Sequence, residues 1–354
     1  MSRSDRIGGI LSDNRTGLIA LIVVIVVLIG ALKPMFYSPQ FVINPMLTSI
    51  AIFTVVGLSQ MVVLSVGQMN LAVGGMAAVG AMVAGIAFQD GDAPLLLGLA
   101  LGLVAGGAVG MLCGVIIAYG GVNSFVVTLA MSFALLGLVP TIYAWVSPGS
   151  AITVPTPGLS ELGRWQLSDL CIGDTCGPDG IPLLIFVTLI AMLVIWFLFA
   201  KLRVGRETLL TGSNDRAALL SAIPVPRRVV TVHTLSGLLA ALAGFMLGAS
   251  TGSFTPAIGQ EFMLQSFLGP ILGGTLLAGG YVSVFGTFLG ITLTVIIRQG
   301  LLLFGVGIEG LNILLGSILL IALSADRIRH VVGQRARLRA VRRADTTIDE
   351  AVAA

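Results

Sequence analysis

The chain has 354 residues, of which 56% are hydrophobic and only 10% are charged. Because a soluble domain usually carries about 25% charged residues, this composition excludes an ordinary soluble enzyme and predicts an all-α integral membrane protein. The net charge of +3 does not indicate nucleic-acid binding, since the basic residues flank the apolar segments, where they set membrane orientation.

Ten apolar segments follow one another along the chain. A spanning helix needs about 20 mostly apolar residues. Several of these segments are shorter or interrupted by glycine, which predicts some short or broken helices. In chain order, the predicted spans are 17–33, 43–65, 72–89, 95–119, 124–146, 181–200, 229–250, 262–279, 284–304 and 309–325.

The basic residues predict how these spans are oriented. All but three of the 19 Lys and Arg residues lie in the N-terminal tail 1–16, the loop 201–228 or the C-terminal tail 326–354. Ten spans place these three segments on one side of the membrane, and the positive-inside rule makes that side the cytoplasm. Both termini are therefore predicted to be cytoplasmic, with 17–325 forming the membrane domain and the loop 147–180 lying outside.

The external loop holds two of the three cysteines, Cys171 and Cys176. An oxidising compartment would allow a disulfide between them. A zinc site would need more ligands than this loop supplies, so no metal site is predicted. The chain also lacks a phosphate-binding P-loop and a nucleophile elbow, so we predict neither an enzyme nor a bound cofactor.

The cytoplasmic loop contains a short predicted helix. Ser213 or Asn214 can cap its start, and Asp215 suits its positive end. The Ala/Leu run that follows has high helix propensity, until a Pro-Val-Pro sequence ends it. An apolar face on this helix would suit a groove on a partner protein or, alternatively, the lipid surface; its predicted members are Ala217, Leu220 and Ile223.

This loop resembles the coupling segment of permease subunits in ABC importers for sugars of the ribose, xylose, galactose and arabinose group. The family's loop reads roughly Gly-Gly-Asn-Glu-Glu-Ala-Ala-Arg-Leu-Ser-Gly-Ile, and this chain departs from it at Arg216, Leu219 and Ala222. The stretches 124–129 and 273–287 are similar to two further family elements. The resemblance assigns ATPase coupling to Asn214, Asp215, Ala217, Ala218, Leu220, Ser221 and Ile223.

The resemblance implies a multi-pass subunit of the bacterial inner membrane, with a substrate pathway at a homodimer interface. A separate cytoplasmic ABC ATPase would bind ATP and Mg²⁺, and an extracytoplasmic binding protein would deliver a monosaccharide or related polyol. Permeases for branched-chain amino acids belong to a related group, so those solutes, or another small polar solute, are the alternative cargo.

A fourth element departs most from the family. Where the family often has Gly-Gly-Ile-Asp-Leu-Ser-Val-Gly, this chain has Gly-Gln-Met-Asn-Leu-Ala-Val-Gly at 67–74, so that Asn70 replaces a carboxylate. Its amide can hydrogen-bond a polyol; alternatively, Gln68 and Asn70 cap a helix break. The residues predicted to line the pathway are Gln60, Gln68, Asn70, Asn123, Ser124, Phe125, Thr128 and Gln265.

Arg298 is predicted to lie inside the outer half of the ninth span. Intramembrane charges usually face the bundle interior or a water-filled cavity, and Glu261 and Glu309 are the acids placed to pair with Arg298. The pair would lie at the outer mouth or serve as a structural ion pair. An ion-coupled secondary transporter would need ionisable residues near the midplane and has no need of an apolar cytoplasmic helix, so it is the less favoured class.

Overall fold

The regular secondary structure of the described residues is helical apart from a two-stranded β-ladder and two isolated β-bridges. The structure is a computed structural model. The residues described are 14–91, 93–147, 151–152, 163, 165–166, 171–172, 175–176, 181–307, 310–314, 316–317 and 320.

Five helices form the first half of the fold. A 3₁₀ turn and a π turn connect the first two of them, and Asn123 caps the fifth. In order, the elements are α1 (Asn14–Leu32), the 3₁₀ turn (Pro34–Tyr37), the π turn (Pro39–Ile43), α2 (Asn44–Leu64), α3 (Val73–Gly91), α4 (Leu95–Gly120) and α5 (Ser124–Val146).

The second half begins with the β-ladder and continues with six helices. Two of these, α7 and α8, are short and lie between longer apolar helices. In order, the elements are β1 (Cys171–Ile172), β2 (Thr175–Cys176), α6 (Leu184–Lys201), α7 (Arg203–Ser213), α8 (Asp215–Leu220), α9 (Val225–Thr251), α10 (Phe262–Leu272) and α11 (Val284–Leu303).

Among the described residues, six helices are long and apolar enough to cross a membrane, and three more are apolar but shorter. This confirms the predicted multi-pass, helical character. The last predicted span, 309–325, is described only in part, so the count of ten spans stays a prediction, as does the location of both termini.

The eighth predicted span, 262–279, is one of the short or broken helices expected among the ten spans. It is helical only as far as Leu272, so α10 is about 16 Å long and cannot cross a hydrocarbon core of about 30 Å. Turns follow, with Gly274, Gly279 and Gly280 at positive φ. Glycine adopts such angles without steric cost, and the glycine-rich sequence therefore ends the helix within the membrane domain.

The centre of the fold is α9, which packs against α2, α3 and α4. One face of α4 carries five buried glycines, at every fourth position from 98 to 114. A Cβ added at Gly106 would lie 2.5 Å from Cβ of Ala241, and one at Gly110 would lie 2.3 Å from the His233 carbonyl oxygen. Small residues allow membrane helices to approach closely, so this glycine stripe brings the α4 backbone directly onto α9 and α3.

The outward faces of the peripheral helices are apolar. Val104 on α4, Phe133 on α5 and Ile190 on α6 are each more than 60% exposed. In water such a surface would be unfavourable, whereas in a bilayer these side chains contact lipid tails. The distribution of exposed side chains therefore agrees with a protein that spans the membrane several times.

Candidate functional site

The site begins at α8, the short helix predicted in the 201–228 loop. Asn214 is its N-cap, with Oδ1 accepting a hydrogen bond from the Ala217 N–H at 3.0 Å. Asp215 lies in the first turn, where the helix dipole favours a carboxylate. Leu220 is 91% exposed, more than any other large apolar side chain among the described residues. The helix therefore presents an apolar side chain that its own chain does not cover.

One predicted member of the exposed face is wrong. Ile223 is only 9% exposed, because the chain turns back after α8 and the Ile223 N–H donates to the Ala218 carbonyl at 3.0 Å. Ala218 is itself buried. The exposed apolar residues are Ala217, Leu219 and Leu220, which we call the α8 face.

The residues just before α8 contact two non-helical segments of the membrane domain. The Gly280 N–H donates to the Ser65 carbonyl at 3.0 Å, joining the turns after α10 to the end of α2. A Cβ added at Gly212 would lie 2.0 Å from the Ser65 oxygen and 2.6 Å from the Gly280 nitrogen. A Cβ added at Gly279 would lie 2.6 Å from the Gly67 nitrogen. We call these five residues the glycine junction.

The glycine junction brings the backbones of the three segments into direct contact, and the Ser213 hydroxyl packs against Gly280, where an added Cβ would lie 2.3 Å from its oxygen. Close-packed protein transmits displacements, because its parts have little free space between them. A shift of α8 can therefore reach both the break between α2 and α3 and the turns after α10.

A buried polar network fills the break between α2 and α3. Asn70 donates through Nδ2 to the Ser236 hydroxyl on α9 at 2.9 Å and accepts from the Ala72 N–H at 2.9 Å. When the Gln60 amide is turned so that both of its polar atoms are satisfied, it bonds the Asn70 backbone, donating to the carbonyl at 2.9 Å and accepting from the N–H at 3.3 Å. Ser59 donates to the Ser236 carbonyl at 2.9 Å. The network holds the break against α9.

The Gln68 side chain makes a second connection from this break to α9, with its Oε1 2.9 Å from Nε2 of His233. Asn70 is fully buried, and the polar atoms of its amide are directed at protein groups. This geometry favours the helix-break role for Gln68 and Asn70 over solute contact.

The remaining inner candidates lie at the start of α5. Asn123 accepts from the Phe125 N–H at 2.8 Å, and the Ser124 hydroxyl accepts from the Met69 N–H at 3.5 Å. Thr128 is buried and donates to the Ser124 carbonyl at 2.7 Å. The structure thus places these residues beside the break, with Phe125 half exposed.

At the other end of α2, two more of the residues singled out from the sequence, Glu261 and Arg298, line a cavity of about 500 Å³. One lining residue, Ser49, lies about 24 Å along α2 from the glycine junction. Arg298 Nη2 lies 3.1 Å from Glu261 Oε2, and Gln265 donates to the same oxygen at 3.2 Å. Glu309, the other predicted partner, lies outside the described residues. We call this space the Arg298 cavity.

A buried acid attaches α7 to α9. Glu207 is 6% exposed, bonds Arg203 one turn earlier and lies 2.7 Å from Arg228 on α9. The hydrogen bond from Arg203, strengthened by the charge of Arg228, holds the pKa of Glu207 below its ordinary value of 4.5. The ionised carboxylate therefore clamps the segment that leads into α8.

This clamp predicts a dependence of stability on pH. Because the folded protein lowers the pKa of Glu207, its carboxylate stabilises the fold fully above about pH 4.5, and this stabilisation is lost as the pH falls below that value. We expect acidification to lower the unfolding temperature of the detergent-solubilised protein more than that of Glu207→Gln. Parallel curves for the two proteins would contradict the clamp.

Residues 42–323 match the family described as "Branched-chain amino acid transport system / permease component". The chain belongs to this permease family. The matched range begins just before α2 and includes the break between α2 and α3, the turns after α10, the glycine junction and α8, so each feature of the candidate site lies within the part that the family shares.

Several proteins of known role are similar to the permease over most of its length. The L-arabinose ABC transporter permease protein AraH of Azospirillum brasilense is 30% identical over 89% of this chain and 88% of its own. The ribose import permease protein RbsC of Escherichia coli K12 is 33% identical over 88% and 93%. The autoinducer 2 import system permease protein LsrD of E. coli O9:H4 is 30% identical over 86% and 89%. No solved structure matches the chain significantly.

The β-ladder of the permease bears on the predicted disulfide. Cys171 and Cys176 are direct partners in the antiparallel register. Cα atoms of such partners lie about 4.5–5.5 Å apart, which is within the range that a disulfide bridges. The bond between them stays a prediction.

Sequence reasoning assigned no role to Glu207, Ser236 or Gly212. Glu207 follows Arg203 by one helical turn, a spacing that signals an i,i+4 pair. Gly212 carries no such local signal, because its importance comes from backbone that approaches from Ser65 and Gly280, far away in the sequence.

Asn70→Ala tests the helix-break role. We expect it to destabilise the solubilised permease by about 1–3 kcal/mol, because it removes the hydrogen bond to the Ser236 hydroxyl and leaves the buried Ala72 N–H without its partner. Thermal unfolding measures this loss. Asn70→Asp is the comparison variant, because it keeps the acceptor for the Ala72 N–H and replaces the amide donor by an oxygen to which the Ser236 hydroxyl can donate. An alanine variant that unfolds normally but needs more solute for half-maximal uptake would instead place Asn70 on the pathway.

Proposed function

We propose that the chain is the membrane subunit of an ATP-driven, binding-protein-dependent importer for a monosaccharide or related polyol. The observation that carries this proposal is the α8 face, an uncovered apolar surface on a capped helix that leads directly into the glycine junction. AraH and RbsC, whose names give arabinose and ribose as their solutes, support the choice of solute class.

The partners follow from this role. A cytoplasmic ABC ATPase would hold ATP and Mg²⁺ and would receive the α8 face in an apolar groove. An extracytoplasmic binding protein would supply solute selectivity, so the permease needs only weak contacts with the solute. Closure of the ATPase on ATP would displace α8 and, through the glycine junction, bias the pathway between two facing directions.

The assembly we propose is a homodimer in the bacterial inner membrane, with the pathway at the interface and both termini in the cytoplasm. The basic 201–228 loop and the basic tail support this orientation. It places α8 inside the cell, where ATP is available, and it places the Arg298 cavity at the outer end of the bundle.

Branched-chain amino acids are the second candidate solute, because the description of the family names them. The sugar-permease relatives argue for sugars instead. An ion-coupled secondary transporter is the third candidate. It has no ATPase subunit, so it gives the α8 face no partner to bind.

Purification of the tagged permease in mild detergent, followed by mass spectrometry, tests the proposal. We expect an ATPase with a P-loop to purify with it, and to be absent from a mock purification that uses an unrelated tagged multi-pass protein. If the permease alone, folded and in liposomes, transports solute without ATP, the secondary-transporter class replaces our proposal.

A further inference from the structure

The Arg298 cavity combines several polar side chains with an aromatic ring. It lies between α2, α10 and α11, and Phe53, Gln260, Glu261, Arg298 and Gln299 are among its lining residues. Its volume of about 500 Å³ lies within the range of small-molecule sites, which typically measure about 300–1,000 Å³ and contain a few convergent polar groups.

The two charges of the cavity neutralise each other. Arg298 contacts Glu261 at 3.1 Å, and its guanidinium also lies 6.0 Å from the Phe53 ring centre. These contacts hold the guanidinium plane in one place and leave further N–H donors, since a guanidinium has five. The cavity therefore offers fixed donors and a carboxylate acceptor with no net charge.

Two amide side chains of the cavity form no hydrogen bond with other described residues. Gln260 is exposed and Gln299 is half-buried, and neither side-chain amide hydrogen-bonds any other residue in the described part of the chain. Each amide can donate and accept at once. A solute hydroxyl group also donates and accepts a hydrogen bond, so it can pair with such an amide.

Phe53 supplies the apolar surface. Its ring is partly buried and stands edge-to-face against Phe262, with centroids 5.9 Å apart and an interplanar angle of 81°. This contact fixes the ring at the cavity wall. A pyranose or furanose ring has an apolar C–H surface alongside its hydroxyls, so one rigid aromatic ring beside several planar polar groups suits it.

We propose that the Arg298 cavity is a contact site for the transported solute in the outer half of the permease, and that it binds an uncharged polyhydroxyl compound of monosaccharide size. The proposal rests on the proposed function and adds to it the place and the residues. A zwitterionic amino acid fits less well, because its carboxylate and ammonium would have to separate Arg298 from Glu261.

The double variant Gln260→Leu/Gln299→Leu tests this site, because it keeps side-chain size and removes only the amides. Uptake of radiolabelled D-ribose, L-arabinose and L-leucine is measured in cells that contain the whole importer. We expect the sugar rate to fall about tenfold, as two lost hydrogen bonds of ordinary strength imply, and the ratio of ribose to arabinose uptake to change. A purely structural role for the amides would leave that ratio constant.

Gln89→Leu is the matched control, because Gln89 is an exposed amide near the end of α3 and is not among the residues lining the cavity; we expect it to transport normally. If the double variant transports sugar at the unmodified rate and ratio, the cavity assignment is overturned and the proposed function survives. If the unmodified importer carries leucine but neither sugar, the proposed solute class fails whatever the variants do.

Discussion

Replacing both Ala217 and Leu220 with aspartate is expected to abolish uptake while the permease still inserts and folds. Leu220 is 91% exposed, so its own chain gains little from it, and exposed substitutions usually change stability by less than about 0.5 kcal/mol. In a groove of the ATPase, burial of one leucine side chain contributes about 1.5–3 kcal/mol. Its loss alone weakens binding roughly tenfold to a hundredfold.

Three measurements separate this result from simple misfolding. Membrane yield and unfolding temperature should match those of the unmodified permease, whereas the amount of co-purifying ATPase and the uptake rate should both fall. Val122→Asp is the control, since it places the same charge at an exposed apolar residue of the loop between α4 and α5. Normal uptake in the double variant would refute the coupling role of the α8 face.

The second large effect is expected from Gly212→Ala. Helix propensity alone predicts a gain of about 1 kcal/mol, because Gly212 lies inside α7. Packing predicts the opposite sign, since the new Cβ would lie 2.0 Å from the Ser65 oxygen and 2.6 Å from the Gly280 nitrogen. Both are backbone atoms that cannot rotate away, and overpacking of this kind costs about 1–3 kcal/mol. We expect the clash to prevail.

The measurement is thermal unfolding in detergent, together with uptake in cells at matched membrane yield. Gly17→Ala in α1 is the control, because a Cβ added there meets nothing within 4 Å, so that only the propensity gain remains. We expect Gly17→Ala to be neutral or stabilising and Gly212→Ala to lose both stability and most of its uptake. A Gly212→Ala permease that is as stable and active as the control would show that the glycine junction can accommodate a methyl group.

Much of the membrane architecture was predictable, because long apolar runs and basic flanks are strong signals. The start of α8 was predictable as well, since Asn214 caps it and an Ala/Leu run follows. The end of α8 was not predictable. Ile223 belongs to the hydrophobic pattern of the helix, but Ala222 adopts a φ of 58° and turns the chain so that Ile223 is buried.

The site was harder to predict than the fold, since its key contacts join distant parts of the chain. Asn70 and Gln68 were recognisable as polar residues in an apolar setting, yet two roles remained open until Ser236 and His233 were found opposite them. The pairing of Arg298 with Glu261 needed the geometry of α10. Hydropathy reads α10 and the turns after it as one apolar stretch, although the chain stops being helical at Gly273.

The glycine stripe of α4 has a mechanical consequence. Helices that touch through backbone have no layer of side chains that can change rotamer to accommodate sliding, so α4 and α9 should behave as one stiff body together with the adjoining part of α3. The break between α2 and α3 and the turns after α10 lie outside this contact, and their glycines at positive φ provide the backbone freedom that α4 lacks. Any alternation of the pathway would then be a hinge motion in the turns after α10 and in the α2–α3 connection, while α4 and α9 keep their relative positions.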